Sequence, residues 1–270
     1  MPLGANRKKE KKMHPDAKIE LAKVPELTLL FWVIKVVATT LGETAGDAVT
    51  MSMNLGYLVG TAIFAGLFVV AVAAQISARR FHAPLFWAVI VATTTAGTTL
   101  ADYCDRSLGI GYAGGSTILV VLLMGSLLWW RASLGSVSIN RIDSRKAEVF
   151  YWATIMFSQT LGTALGDWFA DPDSGLGLGY QGSALVFGGV LALVAAAYFW
   201  TRVSRTALFW AAFIVSRPLG ATVGDFLDKP IAHGGLELSR YAASGWLAAF
   251  IIACIVFVPQ RAEKLHPARS

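Results

Sequence analysis

Apolar residues in this chain come in long blocks, not in alternation. Leu55–Gln75, Ile118–Trp130, Ser183–Trp200 and Gly245–Pro259 are nearly unbroken apolar runs. Between them lie segments of mixed character, apolar but dotted with Thr, Ser and Gly, and these segments repeat. Phe31-Trp32 leads to Asp47, Phe86-Trp87 to Asp102, Tyr151-Trp152 to Asp167, and Phe209-Trp210 to Asp225. In all four a Gly lies ten residues after the Trp and an Asp fifteen after it, and the four align without a gap. The residue before the Asp is Gly46, Ala101, Gly166 or Gly224, always small.

About 20 apolar residues cross the hydrocarbon core of a bilayer as a helix. Each mixed segment and the apolar block after it therefore read as two spans. Continuous apolar runs argue against a barrel, whose strands alternate. The prediction is an all-α polytopic membrane protein of eight helices, in four parallel two-helix repeats at about 25–78, 84–130, 149–201 and 207–259. Parallel repeats are related by an axis along the membrane normal. The first helix of each repeat runs from its Trp to its Asp, about 22 Å at 1.5 Å per residue. The second returns over Leu55–Ala78, Tyr112–Trp130, Tyr180–Thr201 and Leu238–Pro259. These are apolar almost all round, as expected of lipid-facing helices. Trp32, Trp87, Trp152 and Trp210 are expected near one interface, where amphipathic rings collect.

Composition agrees: 55% of the 270 residues are hydrophobic and 15% charged, against about a quarter charged in soluble domains. Charge placement adds direction. Of the 23 Lys and Arg, 18 lie in the tails and between repeats. The positive-inside rule then puts both termini and the inter-repeat segments in the cytoplasm. Residues 1–24 read as a basic cytoplasmic tail without a signal peptide, 25–260 as the membrane domain, and 261–270 as a second tail. The basic tail suits anionic headgroups better than nucleic acid beside eight spans. The loops within repeats carry nine acids and only Arg106, Lys229 and Arg240 as bases. Cys104 and Cys254 sit at different depths, so no disulfide is expected.

On the Trp, Gly and Asp positions above, the chain resembles a bacterial family of membrane proteins built from four tandem copies of a two-helix, Trp-bearing repeat of unknown function. The resemblance covers about residues 25–260 and departs at Ala101, where the other copies have Gly. It implies the architecture and an inner-membrane location, and no activity.

The first helices carry the candidate chemistry. Gly42/Gly46, Gly162/Gly166 and Gly220/Gly224 are GxxxG pairs and Gly97/Ala101 is a small-residue counterpart, the pattern for close helix packing in membranes. Asp47, Asp102, Asp167 and Asp225 oppose the helix dipole at about 0.3–1 kcal/mol each. Capping or structural pairing, a bound cation, and simple hydration are the three ways to offset that. Glu43 lies one turn before Asp47, within a span, where acids are costly and functional by default. Its candidate partners are Lys35 and Arg217, the other charges within spans. Lys35 is about 12 Å away along the same helix, so a salt bridge to Arg217 from a neighbouring helix is the plainer reading. Thr40 and Thr44, with the hydroxyls of the other copies, extend the polar face. Pro218 frees a backbone carbonyl in the fourth repeat.

Hydrolytic and metalloprotease motifs are absent, and no His lies within a span to ligate heme, so neither an enzyme nor a cofactor is expected. The leading expectation is transport of a small solute, foremost an inorganic cation, with Glu43, Asp47, Asp102, Asp167 and Asp225 as oxygen ligands and Glu43 and Asp47 as the core of a metal site. Hard cations such as Mg²⁺ or Ca²⁺ suit such oxygens. A membrane scaffold and an anion pathway using Lys35 and Arg217 are the alternatives, and homo-oligomers are compatible with all three.

Overall fold

The computed structural model describes residues 21–142 and 144–264. It contains eight long helices: α1 (Leu29–Asp47), α2 (Gly56–Ser77), α3 (Ala83–Asp102), α4 (Tyr112–Leu134), α5 (Arg145–Ala170), α6 (Gly179–Trp200), α7 (Arg205–Asp228) and α8 (Arg240–Phe257). Seven are long and apolar enough to cross a membrane. The remaining one, α5, has 26 residues and opens on Arg145-Lys146-Ala147-Glu148, which lowers its apolar content. After Asp47 and Asp102 the chain continues into single π turns, Ala48–Ser52 and Tyr103–Ser107.

The odd-numbered helices form a closed ring. α1 packs on α3, α3 on α5, α5 on α7, and α7 back on α1. The even-numbered helices surround it, with an offset: α2 packs chiefly on α3, α4 on α5, α6 on α7, and α8 on α1. Each outer helix therefore covers the inner helix of the following repeat. The ring is buried while the outer helices keep large apolar side chains exposed, such as Leu185 at 77% and Val70 at 69%, a surface that sits naturally in lipid.

Two recurring contacts close the ring, and both run from one repeat to the next. The first involves the glycine ten residues after each Trp. A Cβ added at Gly97 would lie 2.9 Å from the Thr160 backbone N and 3.0 Å from the Gln159 backbone C. At Gly220 it would lie 3.0 Å from the Thr40 N, at Gly162 3.0 Å from the Pro218 N, and at Gly42 2.9 Å from the Thr94 Cβ. Small residues are needed because the neighbouring backbone, or at Gly42 the Thr94 side chain, arrives where a side chain would start. One turn on, Gly46 faces Thr98, Gly166 faces Ala221, and Gly224 faces Glu43. Pro218, which lacks an N–H, sits at such a contact, and α7 runs through it unbroken.

The second contact explains the aromatic–Trp pairs. Phe31 packs on Trp87 (5.5 Å between ring centroids), Phe86 on Trp152 (5.8 Å), Tyr151 on Trp210 (6.3 Å), and Phe209 on Trp32 (6.0 Å). The first ring of each repeat thus meets the Trp of the next, and the fourth returns to the first. This corrects the expectation of an interfacial tryptophan belt for three of the four; Trp32 is half-buried. Trp87, Trp152 and Trp210 lie inside the protein at 1, 2 and 5% exposure. Trp87 Nε1 donates to Gln260 Oε1 (2.7 Å) and Trp210 Nε1 to the Val137 carbonyl (2.9 Å), which satisfies their buried donors.

A short ribbon covers this aromatic floor. Strands β1 (Leu21–Pro25) and β2 (Ala262–Lys264) pair antiparallel, and Ala22 and Val24 join the aromatic cluster. Lys23 Nζ donates to the carbonyls of Gln75, Ile76 and Ala78 at 3.2, 3.0 and 2.9 Å and pairs with Glu148 at 2.6 Å. It thereby caps the free carbonyls at the end of α2. The inner edges of the two expected tails are therefore part of the folded body, while residues 1–20 and 265–270 of those tails lie outside the described residues.

The glycine contacts make a direct prediction. Gly97→Ala and Gly220→Ala should each lower stability by about 1–3 kcal/mol, the usual cost of overpacking. Gly66→Ala on α2, where nothing lies within 4 Å, should be neutral. Thermal unfolding of the detergent-solubilised protein, followed by monodispersity, measures the difference.

Candidate functional site

Side chains three, seven, eleven and fifteen residues after each Trp recur once per turn on the inner helices. They form layers across the ring. At eleven stand Glu43, Thr98, Thr163 and Ala221; at fifteen stand the four aspartates. All eight are buried.

The central layer is held by Arg217, which lies one turn below Ala221 on α7 and is fully buried. Both of its terminal nitrogens are 3.1 Å from Glu43 Oε2 on α1. Nη2 also reaches Thr98 Oγ1 on α3 (2.6 Å) and Thr163 Oγ1 on α5 (2.5 Å). One guanidinium therefore touches all three other inner helices. Arginine suits this place because its planar donors serve several acceptors at once and its charge persists. Lys35, the other candidate partner, does not reach Glu43. Its ammonium lies over the Phe213 ring, 4.2 Å from the centroid.

One turn further on, the aspartates meet bases that follow them in sequence. Arg106, four residues after Asp102, is 3.0 Å from Asp102 and 3.0 Å from Asp167 of the next repeat. Lys229, four residues after Asp225, is 3.1 Å from Asp225 and pairs with Asp47 of the first repeat. Arg240 adds contacts to Asp228 (3.0 Å) and Asp47 (3.9 Å). Repeats two and four supply an acid three and a base four residues after the repeat Asp; repeats one and three supply neither. The packing is fourfold in pattern, while the charge pairing is twofold. Burial alone would push the Lys229 ammonium down, but Asp225, Asp47 and Asp228 around it hold its pKa well above the usual value.

Of the expected capping or structural pairing, pairing is what is seen: Asp47 and Asp102 precede the π turns but cap no backbone N–H with their side chains, and both are ion-paired. Contrary to expectation, the hydroxyls of Thr40 and Thr44 do not join the carboxylates. Thr40 Oγ1 donates to Val36 O (3.1 Å) and Thr44 Oγ1 to Leu41 O (3.3 Å), and Thr44 also accepts from Ser244 on α8 (2.8 Å). Back-bonding to the helix's own carbonyls is the cheapest satisfaction for a threonine in a helix.

Two carboxylate groups remain close enough to share a cation. Glu43, Asp47 and Asp102 each offer an oxygen within 4.8 Å of the others, as do Asp47, Asp225 and Asp228. Asp47 belongs to both. Its Oδ1, Asp225 Oδ2 and Asp228 Oδ1 are buried without a hydrogen-bond partner. The close approaches of Arg106 to Asp102 and of Lys229 to Asp225 are ion pairs by proximity, since neither is aligned as a hydrogen bond. Sequence reasoning placed Glu43 and the four aspartates here. It counted Arg106, Lys229 and Arg240 only as loop charges, although the four-residue spacing of Asp102–Arg106 and Asp225–Lys229 is the usual signal of a helical ion pair.

A ring of four like helices sheathed by four more, with acids and bases buried at one end, defines a multi-pass membrane protein built of internal repeats. The chain belongs to the family of the Repeat of Unknown Function (DUF347), whose profile matches residues 30–81, 85–135, 150–204 and 208–260. Searches of curated proteins and of solved structures found no match.

The central layer predicts strong coupling. Arg217→Met alone should destabilise the protein by about 3–5 kcal/mol, since it leaves a buried carboxylate unpaired. Glu43→Gln in the same chain should recover most of that loss. A double-mutant cycle on thermal stability in one detergent reads the interaction.

Proposed function

We propose that this protein moves a small inorganic cation across the bacterial plasma membrane, with all eight helices spanning, both termini cytoplasmic and the aspartate end facing outward. The positive-inside distribution of Lys and Arg supports that orientation. α5 completes the ring and spans with the other seven; Ser158, Gln159, Thr160, Thr163 and Asp167 along it are buried against protein, while Arg145 and Lys146 at its start are exposed.

The observation that carries the reading is a charge imbalance. Glu43, Asp47, Asp102, Asp105, Asp167, Asp225 and Asp228 are all buried. The bases that reach them are Arg106, Arg217, Lys229 and Arg240. Carboxylates outnumber bases, and an uncompensated buried charge is strongly unfavourable. Protons or cations must make up the difference. The two oxygen groups that share Asp47 suit hard cations, which prefer several carboxylate oxygens. Lys229 and Arg106 act as resident counter-ions, and an incoming cation competes with them. The Glu43–Arg217 pair lies one turn beneath, where a cation arriving at Asp47 weakens the hold of Glu43 on the guanidinium.

Cation-sensitive dyes in proteoliposomes test this. Flux of at least one mono- or divalent cation should be detectable, and Glu43→Gln or Asp47→Asn should reduce it by roughly tenfold or more, since each removes a charged ligand. Absence of cation flux, or flux indifferent to both changes, would end the proposal. Lys229→Met, by removing the resident competitor, should tighten cation binding to the solubilised protein by roughly tenfold, the equivalent of about 1.4 kcal/mol; titration of wild type and variant with the same cation compares them.

A further inference from the structure

Below the Glu43–Arg217 layer, each inner helix carries a polar atom that is fully buried and without a hydrogen-bond partner. They are Lys35 Nζ on α1, Thr94 Oγ1 on α3, Gln159 Nε2 and Oε1 on α5, and Arg217 Nε on α7. All four residues are 0% exposed. Thr94, Gln159 and Arg217 occupy the same position, seven residues after their Trp, and Lys35 stands one turn nearer the aromatic floor, about 6 Å along the helix. Native proteins rarely leave buried polar groups unpaired, and each exception asks for a missing partner. Here the exceptions come from all four inner helices, within two successive turns.

The chemistry of the missing partner follows from the donors. An ammonium, a guanidinium N–H, an amide and a hydroxyl are offered. Glu43, the acid on the Lys35 helix, is about 12 Å further along and is already held by Arg217 and Thr98. The fourth residue of the seven-position layer, Thr39, is occupied by the carbonyls of Val36 (2.7 Å) and Ser216 (3.3 Å). The counterparts of Lys35 are Ile90, Ile155 and Phe213, all buried, so one cation stands at an otherwise apolar level. The Phe213 ring faces that ammonium at 4.2 Å, which offsets only part of the cost of burying it.

We propose that this layer binds one small monovalent inorganic anion, of the chloride or nitrate kind, between Lys35, Gln159, Thr94 and the Nε of Arg217. The site uses no carboxylate, although it shares Arg217 with Glu43, and the reading does not depend on cation transport. Its apolar walls exclude larger or divalent anions, whose dehydration nothing here would offset.

The test is equilibrium binding of radiolabelled chloride to the purified full-length protein in nanodiscs, with unlabelled bromide, nitrate and sulfate as competitors. Saturable binding near one per chain is expected, displaced by bromide and nitrate and not by sulfate. Lys35→Met and Gln159→Leu should each weaken it by roughly tenfold or more, as for loss of a charge-assisted or buried hydrogen bond. Lys35→Arg, which keeps the charge, should retain binding. No saturable binding by the wild-type protein overturns the proposal, and this arm needs no variant to fold. Undiminished binding by monodisperse Lys35→Met and Gln159→Leu proteins overturns it equally, because the anion then sits elsewhere.

Discussion

The buried pair between Glu43 and Arg217 is the constraint from which much of the ring follows. The glycine contacts bring the inner helices too close for bulky side chains between them. Polar groups on the inner faces must then satisfy one another. Arg217 does most of this, because one guanidinium meets an acceptor on each of three neighbours. Its place also requires asymmetry. Were an arginine present in every repeat, four like charges would converge; the other repeats carry Thr39, Thr94 and Gln159 there. The ring is therefore fourfold in backbone and deliberately unequal in its polar core.

Cyclic packing has a consequence for how the chain holds together. In both the glycine and the aromatic contacts, each repeat presents one surface forward and another backward. Such head-to-tail contacts close only when the rotation between copies completes a circle. Here they close within one chain, with repeat four returning to repeat one. The outer helices follow the same rule, since each shields its neighbour's inner helix and not its own. A single hairpin therefore lacks both its sheath and its ring neighbours. The ribbon of β1 and β2 joins the two ends of the chain over the aromatic floor and ties the start of repeat one to the end of repeat four. Superimposed on this, Arg106 and Lys229 reach forward from repeats two and four, so the charged end works as two halves.

Much of this was legible beforehand, and the remainder was hidden for identifiable reasons. The repeat register, the small residues on one face and the convergence of Glu43 with Arg217 follow from spacing and from the cost of lone charges in a membrane. The tryptophans misled because hydropathy alone cannot distinguish a ring at the lipid interface from one at the same depth inside a bundle. Only the order of helices around the ring shows that Phe86 meets Trp152. The same order is needed to see that Lys229 finds Asp47, 182 residues away. Its local partner, Asp225, was visible from the four-residue spacing. The hydroxyls misled differently. Thr40 and Thr44 look like ligands in a list of polar residues, yet a helix always offers a threonine a carbonyl of its own.

Exposure grades the ion pairs along the axis and so orders their strength. Arg106 and Arg240 keep 33% and 20% of their side-chain surface, while Arg217 keeps none. Water screens the outer pairs, which contribute little each; the inner pair is screened hardly at all. A cation entering from the aspartate end would first meet contacts that exchange readily and then one that does not. Beyond it lie the unpartnered donors around Lys35 and an aromatic floor clasped by the terminal ribbon. Under the proposed cation reading the aspartate end is the compliant one, because its closure rests on charges that another charge can replace. The Trp end is closed by interlocked rings and by the carbonyls tied to Lys23. Among the described residues, the only ion pair linking the inner helices at mid-depth is Arg217 with Glu43. Any event that neutralises Glu43 therefore acts on the guanidinium that reaches the three other inner helices.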